Sequence, residues 1–384
     1  MILPLLLVSL RPGCRMMRYH VLLFVALLSL AMAGIAVADN GITVIKPAAS
    51  AGQYGTGAGQ IDTPVSVRVD AGDNVYILQH VHTSGPKFKS VITIYDKNLT
   101  LVRSFDVLKK SMVDVGWDRA SNGYYYDNLA SAFDIDGDGN LFILCGWDVV
   151  VYSKDGKYQY QFPVSAFMGW IDNTGNETQF YYPRGLAISS DDYVVITSGS
   201  TRDRHEVIFI YPEGKIYKKL DVQVSDMADI VSDGNGSFYI VEAGRSVIHS
   251  YDSALKTKRD IRLDFNGTYN GSPASLAFMP DGNMTASANG IFVYALNGSI
   301  QAHFMDNNLS ENDRSWNRLV AANSTGWLIM VSGMEDKAKT PKPVNVYRFY
   351  DGAVVGEPEQ ADVCSTFLAM FGAAAALYFS VRRF

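Results

Sequence analysis

"DIDGDGNLFIL", Asp134 to Leu144, sets three aspartates at alternate positions and follows Asp138 with Gly139. The order invites a calcium loop. An EF-hand loop starting at Asp134 would place a bidentate Glu twelfth, and that position is Cys145. No helix follows either, because Leu141 to Leu144 read as a strand. At the same phase upstream stands "VDAGDNVYIL", which has the turn without the aspartate ladder. The stretch is therefore read as two short strands joined by a tight bend, with Asp138-Gly139-Asn140 making the bend.

Outward from that stretch, the pattern recurs. "TPVSVRVDAGDNVYIL" begins at Thr63, "LASAFDIDGDGNLFIL" at Leu129 and "YPRGLAISSDDYVVIT" at Tyr182. "SDMADIVSDGNGSFYIV" begins at Ser225, "SPASLAFMPDGNMTAS" at Ser272 and "WNRLVAANSTGWLIMV" at Trp316. Each is followed by a third strand with an aromatic near its end, as in "VITIYD", "VIFIYPEG" and "GIFVYALNG". In five units a fourth strand comes next, such as "LVRSFDV" or "IYKKLDV". Six units of four antiparallel strands predict an all-β, six-bladed β-propeller of four-stranded blades. The sixth unit lacks a fourth strand, and "GITVIKP" (Gly41 to Pro47) has no unit of its own. Pairing Ile42 to Lys46 onto the last unit would close the ring and remove an open edge.

"GQYGTGAGQIDTPVSVRVDAGDNVYIL" (Gly52 to Leu78), "YPRGLAI" and "VIFIYPEGK" resemble the NHL repeat. The resemblance covers most of residues 41–352 and is plainest in the first three units. It implies a six-bladed propeller whose business is partner binding. A minority of related propellers are lyases or lactonases that hold zinc or calcium around the central channel.

The ends suggest a compartment. Arg15, Arg18 and His20 precede an apolar run, Val21 to Ala33, that ends in Ala36-Val37-Ala38. Residues 1–38 read as a signal peptide, with 1–15 a start-site artefact ahead of Met16-Met17; an uncleaved anchor is the alternative. Residues 39–355 form the ectodomain and 356–362 a linker. Residues 363–381 carry no charge and are long enough for a transmembrane helix, and the basic end 382–384 points it inward. The whole reads as a cell-surface, single-pass protein with an extracellular ectodomain and a cytoplasmic C-terminus. Asn-x-Ser/Thr occurs at Asn98, Asn176, Asn235, Asn266, Asn270, Asn283, Asn297, Asn308 and Asn323, more often than 20 asparagines give by chance. A glycosylated surface is expected. Cys145 is alone in the ectodomain, which excludes an internal disulfide, and its strand makes it a core residue. A net charge of -6 carries no nucleic-acid signature.

Propeller connectivity sorts the loops onto two faces. First-to-second and third-to-fourth turns share one face and are tight, with no room for chemistry. Second-to-third loops and crossovers share the other, and they are long and aromatic. Partner-binding candidates there are Trp117, Tyr124, Tyr125, Tyr126, Trp170, Tyr181, Tyr182, Arg202 and Arg204. Aromatics with arginine commonly anchor interfaces, for an extracellular protein or a glycan; the competing reading packs each ring within its own loop. No nucleophile elbow, zinc-protease helix or phosphate loop is present, no cofactor is implied, and catalytic residues are assigned to none. For a metal-dependent lyase or lactonase, the rival reading, the candidate ligands are His80, His82 and His205. The binding reading is the favoured one.

Overall fold

The bend after Asp134 is built on a side chain. In the computed structural model, Asp136 Oδ1 accepts the backbone N–H of Asp138 at 3.0 Å and of Asn140 at 2.7 Å. Asp70 does the same for Gly72 and Asn74, Asp233 for Asn235 and Ser237, and Asn323 for Thr325 and Trp327. Side-chain capping of this kind satisfies turn donors that would otherwise need water. Gly139 supplies the left-handed residue the bend requires, at φ 85°. Asp136, rather than Asp138, is thus the residue that holds the turn.

The structure describes residues 42–45, 47–83, 88–108, 129–146, 148–164, 182–199, 205–212, 214–222, 227–242, 246–252, 256–263, 275–287, 291–306, 319–333, 342–350 and 353–354. Strands joined by these turns form six antiparallel sheets. Sheet one holds Thr63–Val69, Val75–His82, Phe88–Tyr95 and Leu101–Asp106. Sheet two holds Ala130–Ile135, Leu141–Cys145, Asp148–Tyr152 and Tyr158–Pro163. Sheet three holds Tyr182–Ile188, Val194–Gly199, His205–Ile210 and Ile216–Val222. Sheet four holds Met227–Ser232, Phe238–Glu242, Val247–Tyr251 and Thr257–Arg262. Sheet five holds Ser275–Phe278, Met284–Ser287, Ile291–Tyr294 and Ile300–Asp306; sheet six begins with Leu319–Ala322, Trp327–Val331 and Val344–Tyr350. First strands of successive sheets touch, and that of sheet six returns to that of sheet one. This is an all-β propeller.

Apolar residues on both faces of each sheet build the core as a chain of interfaces. One cluster joins sheets one and two through Leu78, Phe133 and Ile143. The next joins two and three through Leu144, Leu186 and Ile196. Others join three to four, four to five and five to six. The last joins six to one through Ile329, Val331 and Ile77. Fully burying one such side chain contributes on the order of 1.5–3 kcal/mol. Cys145 is buried, as a core residue should be.

Two expectations need correction. Not every sheet is four-stranded, since sheets five and six have five-strand paths or edges. The closing strand is also a different one. Ala49–Ala51 pairs with Val344–Val346 and completes sheet six, with Ser50 Oγ donating to Asn345 Oδ1 at 2.7 Å. Ile42–Ile45 instead lies outside Ile300–Asp306 in sheet five. With so few residues between these two strands, one stretch of chain covers the outer edges of two adjacent sheets. Ala353–Val354 also pairs with the edge of sheet six, at Phe349 and Tyr350. The described residues contain no helix long and apolar enough to cross a membrane; residues 363–381 lie outside them.

At the axis sits a largely buried charge. Arg68, on the first strand of sheet one, places Nη2 3.3 Å from Asp229 of sheet four and Nε 3.6 Å from Asp134 of sheet two. Asp134 Oδ2 accepts the N–H of Ile188 in sheet three at 2.8 Å, and Asp229 Oδ2 that of Leu276 in sheet five at 3.3 Å. The first residue of the aspartate ladder therefore serves the axis, the second caps a turn, and Asp138 is exposed. The three do not converge on an ion. Burial pushes both axial carboxyls above the usual range, against the pull of Arg68.

Two predictions follow from this architecture. Arg68→Met should lower stability by about 3–5 kcal/mol at neutral pH, because two buried carboxylates lose their cation. A carboxyl whose pKa is raised by folding binds its proton more tightly when folded, so its contribution is fullest below the ordinary carboxylate range and fades as pH rises. The deficit of Arg68→Met should accordingly shrink at mildly acidic pH, as urea titrations at two pH values will read; equal deficits would count against this account. Ser50→Pro should cost about 1–3 kcal/mol and promote association through the opened edge of sheet six, whereas Val44→Pro should cost less. Melting curves with light scattering separate the two variants.

Candidate functional site

Each first strand runs from the crossover face toward the tight-turn face, so residues just before or at its start ring the axis at the crossover mouth. Asp62 precedes the first strand of sheet one, and His82 ends the second strand beside it. Asp62 Oδ2 accepts from His82 at both the backbone N, 2.7 Å, and Nδ1, 2.7 Å. Asp62 is buried while the His82 ring is half-exposed. The ring also packs against Phe88, with centroids 4.1 Å apart.

Behind this pair lies a satisfied polar layer. Gln79 Oε1 accepts from Asp62 N at 2.7 Å, and Gln79 Nε2 donates to Gln60 O and Thr93 Oγ1. Gln79 and Thr93 are fully buried, so their hydrogen bonds hold fixed positions in a low-dielectric setting. The layer locks the carboxylate, which in turn locks the imidazole. With Nδ1 committed, Nε2 is the nitrogen left for a proton, a hydrogen-bonding ligand or a metal.

Of the three histidines singled out as metal candidates, His80 and His82 have separate partners. His80 Nε2 donates to Ala130 O in sheet two at 2.8 Å, and burial pushes the ring's pKa below the ordinary value. It is a neutral tie between sheets. His205 opens the third strand of sheet three, two sheets further round, with its side chain outside what the structure describes. No group of three His, Cys, Asp or Glu among the described residues is arranged to hold a metal. At the axis the carboxylates of Asp134 and Asp229 are already neutralised in part by Arg68, and a second cation there would face its charge. The described axial residues therefore do not fit a resident metal.

Of the partner-binding candidates, Trp117, Tyr124, Tyr125, Tyr126, Trp170, Tyr181, Arg202 and Arg204 lie outside the described residues. Tyr182 opens the first strand of sheet three, opposite Gly199. Trp117 and Tyr124 to Tyr126 belong to the crossover 109–128 and Trp170 and Tyr181 to the crossover 165–181, each joining the last strand of one sheet to the first of the next. Arg202 and Arg204 belong instead to the connection between the second and third strands of sheet three. A cavity of about 690 Å³ lies elsewhere, between the Gly52–Gln60 lead and the turn carrying Leu99 and Leu101.

Sequence reasoning missed two arrangements. The Asp62 clamp on His82 could have been sought, since an Asp before the first strand and a His ending the second lie on one mouth. The second arrangement is in sheet four. His249 there stands between two carboxylates, with Nε2 2.9 Å from buried Glu242 and Nδ1 2.8 Å from Asp260. It links three neighbouring strands as a cross-strand tie.

Comparison with known proteins bears on the fold. No protein-family profile matches the chain, and no curated protein matches it in sequence. Among solved structures it is similar to a calcium-binding protein, regucalcin, of Agrobacterium tumefaciens strain C58, at 11% identity and a TM-score of 0.51, over 79% of this chain and 95% of that one. It is similar to a luciferin-regenerating enzyme at 13% identity and a TM-score of 0.50, over 82% and 97% of the two chains. Virginiamycin B lyase from Staphylococcus aureus aligns at 12% identity and a TM-score of 0.44, over 77% and 87%. At these identities the likeness to the first two is one of architecture, and the architecture shared is the β-propeller.

Proposed function

We propose that this chain is a cell-surface, NHL-like propeller of six blades that binds an extracellular protein or glycan through its crossover face, without catalysis. Its C-terminal apolar segment, 363–381, serves as the membrane anchor in this reading. The observation that carries the proposal is the uneven division of connections. Turns at one face close in a few residues under side-chain caps, while 109–128 and 165–181 are spent on the other. Long connections rich in aromatics, set on a rigid ring, are where binding residues concentrate.

The electrostatics of the axis favour binding over the rival reading. A metal-dependent lyase or lactonase would need its ion near the axis, where Arg68 already supplies the positive charge. Glycosylation is part of the proposal as well. Asn98, Asn235 and Asn297 are exposed at tight turns, and Asn283 and Asn323 are half-exposed at others. Asn297 and Asn323 give Oδ1 to their own turns, at 2.9 Å to Ser299 N and 2.8 Å to Trp327 N. Nδ2, the atom a glycan is joined to, is not the one these turns use.

The test places alanine at Trp117 and Tyr125 in the full-length chain. Retention of the extracellular protein or glycan on the immobilised chain should fall about tenfold or more, as loss of interface anchors does, while the melting temperature stays put. A fall in melting temperature with binding unchanged would assign those rings to loop packing and overturn the proposal. In parallel, His82→Ala should leave metal content unaltered; stoichiometric metal lost on that substitution would instead establish the enzyme reading.

A further inference from the structure

The tight-turn face is not uniform. In sheets one, two, four and five a tyrosine ends the third strand and is buried: Tyr95, Tyr152, Tyr251 and Tyr294. Each pairs with the first residue of the second strand, respectively Val75, Leu141, Phe238 and Met284. In sheet three that place, opposite Val194, belongs to Ile210, which is fully buried. Tyr211 comes one residue later and is left 37% exposed. A shift of one residue moves a side chain to the other side of the layer.

Two further substitutions bring tyrosines to the same spot. The fourth strands of sheets one to five share a bulge beside this corner, with one extra residue each. In sheet three the extra residue is Tyr217, 50% exposed. Where sheets one and two carry Asn74 and Asn140 at the end of the first turn, sheet three carries Tyr193, with Ser189 Oγ in place of the aspartate cap. Tyr193 and Tyr217 stack with centroids 4.6 Å apart and planes 4° from parallel, and Tyr211 meets both edge-on at 5.2 and 5.4 Å. Tyr160 of sheet two, 39% exposed, reaches across and donates to Pro212 O at 3.0 Å.

We propose that this tyrosine platform, with the aspartate turns beside it, docks a lysine- or arginine-bearing segment of a partner protein, on the face opposite the crossovers. Aromatic rings left accessible to solvent, as Tyr211 and Tyr217 are, attract cations, and the adjoining turns are acidic: Asp191 and Asp192 of sheet three, Asp136 and Asp138 of sheet two. Partial burial together with the charges of those three neighbours pushes the Asp192 carboxyl up, so an arriving cation relieves repulsion already present. Lys154, Lys157 and Lys215 stand on the flanking turns, and with Asp155 beside them the carboxylates are still in excess. A neutral glycan would stack on the rings but would not relieve that repulsion. Among the described turns of this face, the sequons sit in sheets one, four, five and six, so this sector is also the one free of them.

A fluorescein-labelled hexa-arginine peptide, titrated into the full-length chain at physiological ionic strength, tests the proposal. Saturable binding is expected, weakened on the order of fivefold by Tyr217→Ala and again by the double change Asp191→Asn and Asp192→Asn. Tyr217→Phe, which keeps the ring, should retain affinity, and Asp252→Asn on a turn of sheet four should not matter. Equal affinity across all these variants would show non-specific attraction to an acidic protein and overturn the proposal. So would the absence of saturation, or binding of cellohexaose in place of the peptide.

Discussion

One guanidinium sits where the first strands of the ring converge. Arg68 bonds sheets one and four directly and faces Asp134 of sheet two, and its two carboxylate partners take backbone N–H groups from sheets three and five. One largely buried charge cluster therefore ties five of the six sheets. Desolvating three ionised groups is costly, and replacing such a cluster by apolar side chains often leaves stability unchanged. What the cluster adds is registry. A slip of one residue in the first strand of sheet one, two or four would carry Arg68, Asp134 or Asp229 off the axis and leave the others unpaired. The inter-sheet clusters of valine, leucine and isoleucine supply most of the cohesion, yet they are alike enough to tolerate sliding. The polar axis is not.

Much of this architecture was legible in the sequence. The spacing of short apolar runs and Gly/Asp/Asn turns identified the strands, and the failure of Cys145 as a twelfth ligand turned a calcium loop into a phase marker. The axial cluster was not read, although "SVRVD" sets a charged residue at an inward-alternating position of an apolar strand. Pairing an arginine with aspartates 66 and 161 residues away requires knowing which strands share the axis, and a local pattern does not say. The closing strand was misplaced for a similar reason. "GITVI" is the stronger strand former, but sheet six takes the weaker "ASA", because the Gly-rich lead that follows must reach the first strand of sheet one. Of the candidate site, the histidines were found and their partners were not. Hydrogen bonds such as Asp62 to His82 cross between strands and leave no mark on spacing.

The two faces use different means to present side chains. At the crossover mouth a buried Gln79–Asp62 layer fixes one imidazole. On the opposite face no insertion is present over sheet three. Exposure of Tyr211 and Tyr217 arises instead from a bulge and a one-residue offset, within a sheet that is otherwise ordinary. A surface altered in this way costs the ring little, since Ile210 fills the core place that a tyrosine fills elsewhere. It also explains how a face of tight turns can still vary from one sector to the next.

The seam between Ala49–Ala51 and Val344–Val346 has a consequence in time. Ser50 and Asn345 are separated by 295 positions, so the seam forms only after nearly the whole propeller sequence has emerged. Joining ends that far apart has an entropic cost that grows as the logarithm of the separation, on the order of 5 kcal/mol for a flexible chain. Earlier sheets shorten that search as they form, because each brings the free end a step round the circle. Until the seam closes, sheet six has an open edge that can pair with another copy. Order of synthesis and closure of the ring are thereby coupled, and the interval between them is when this chain is most exposed to misassembly.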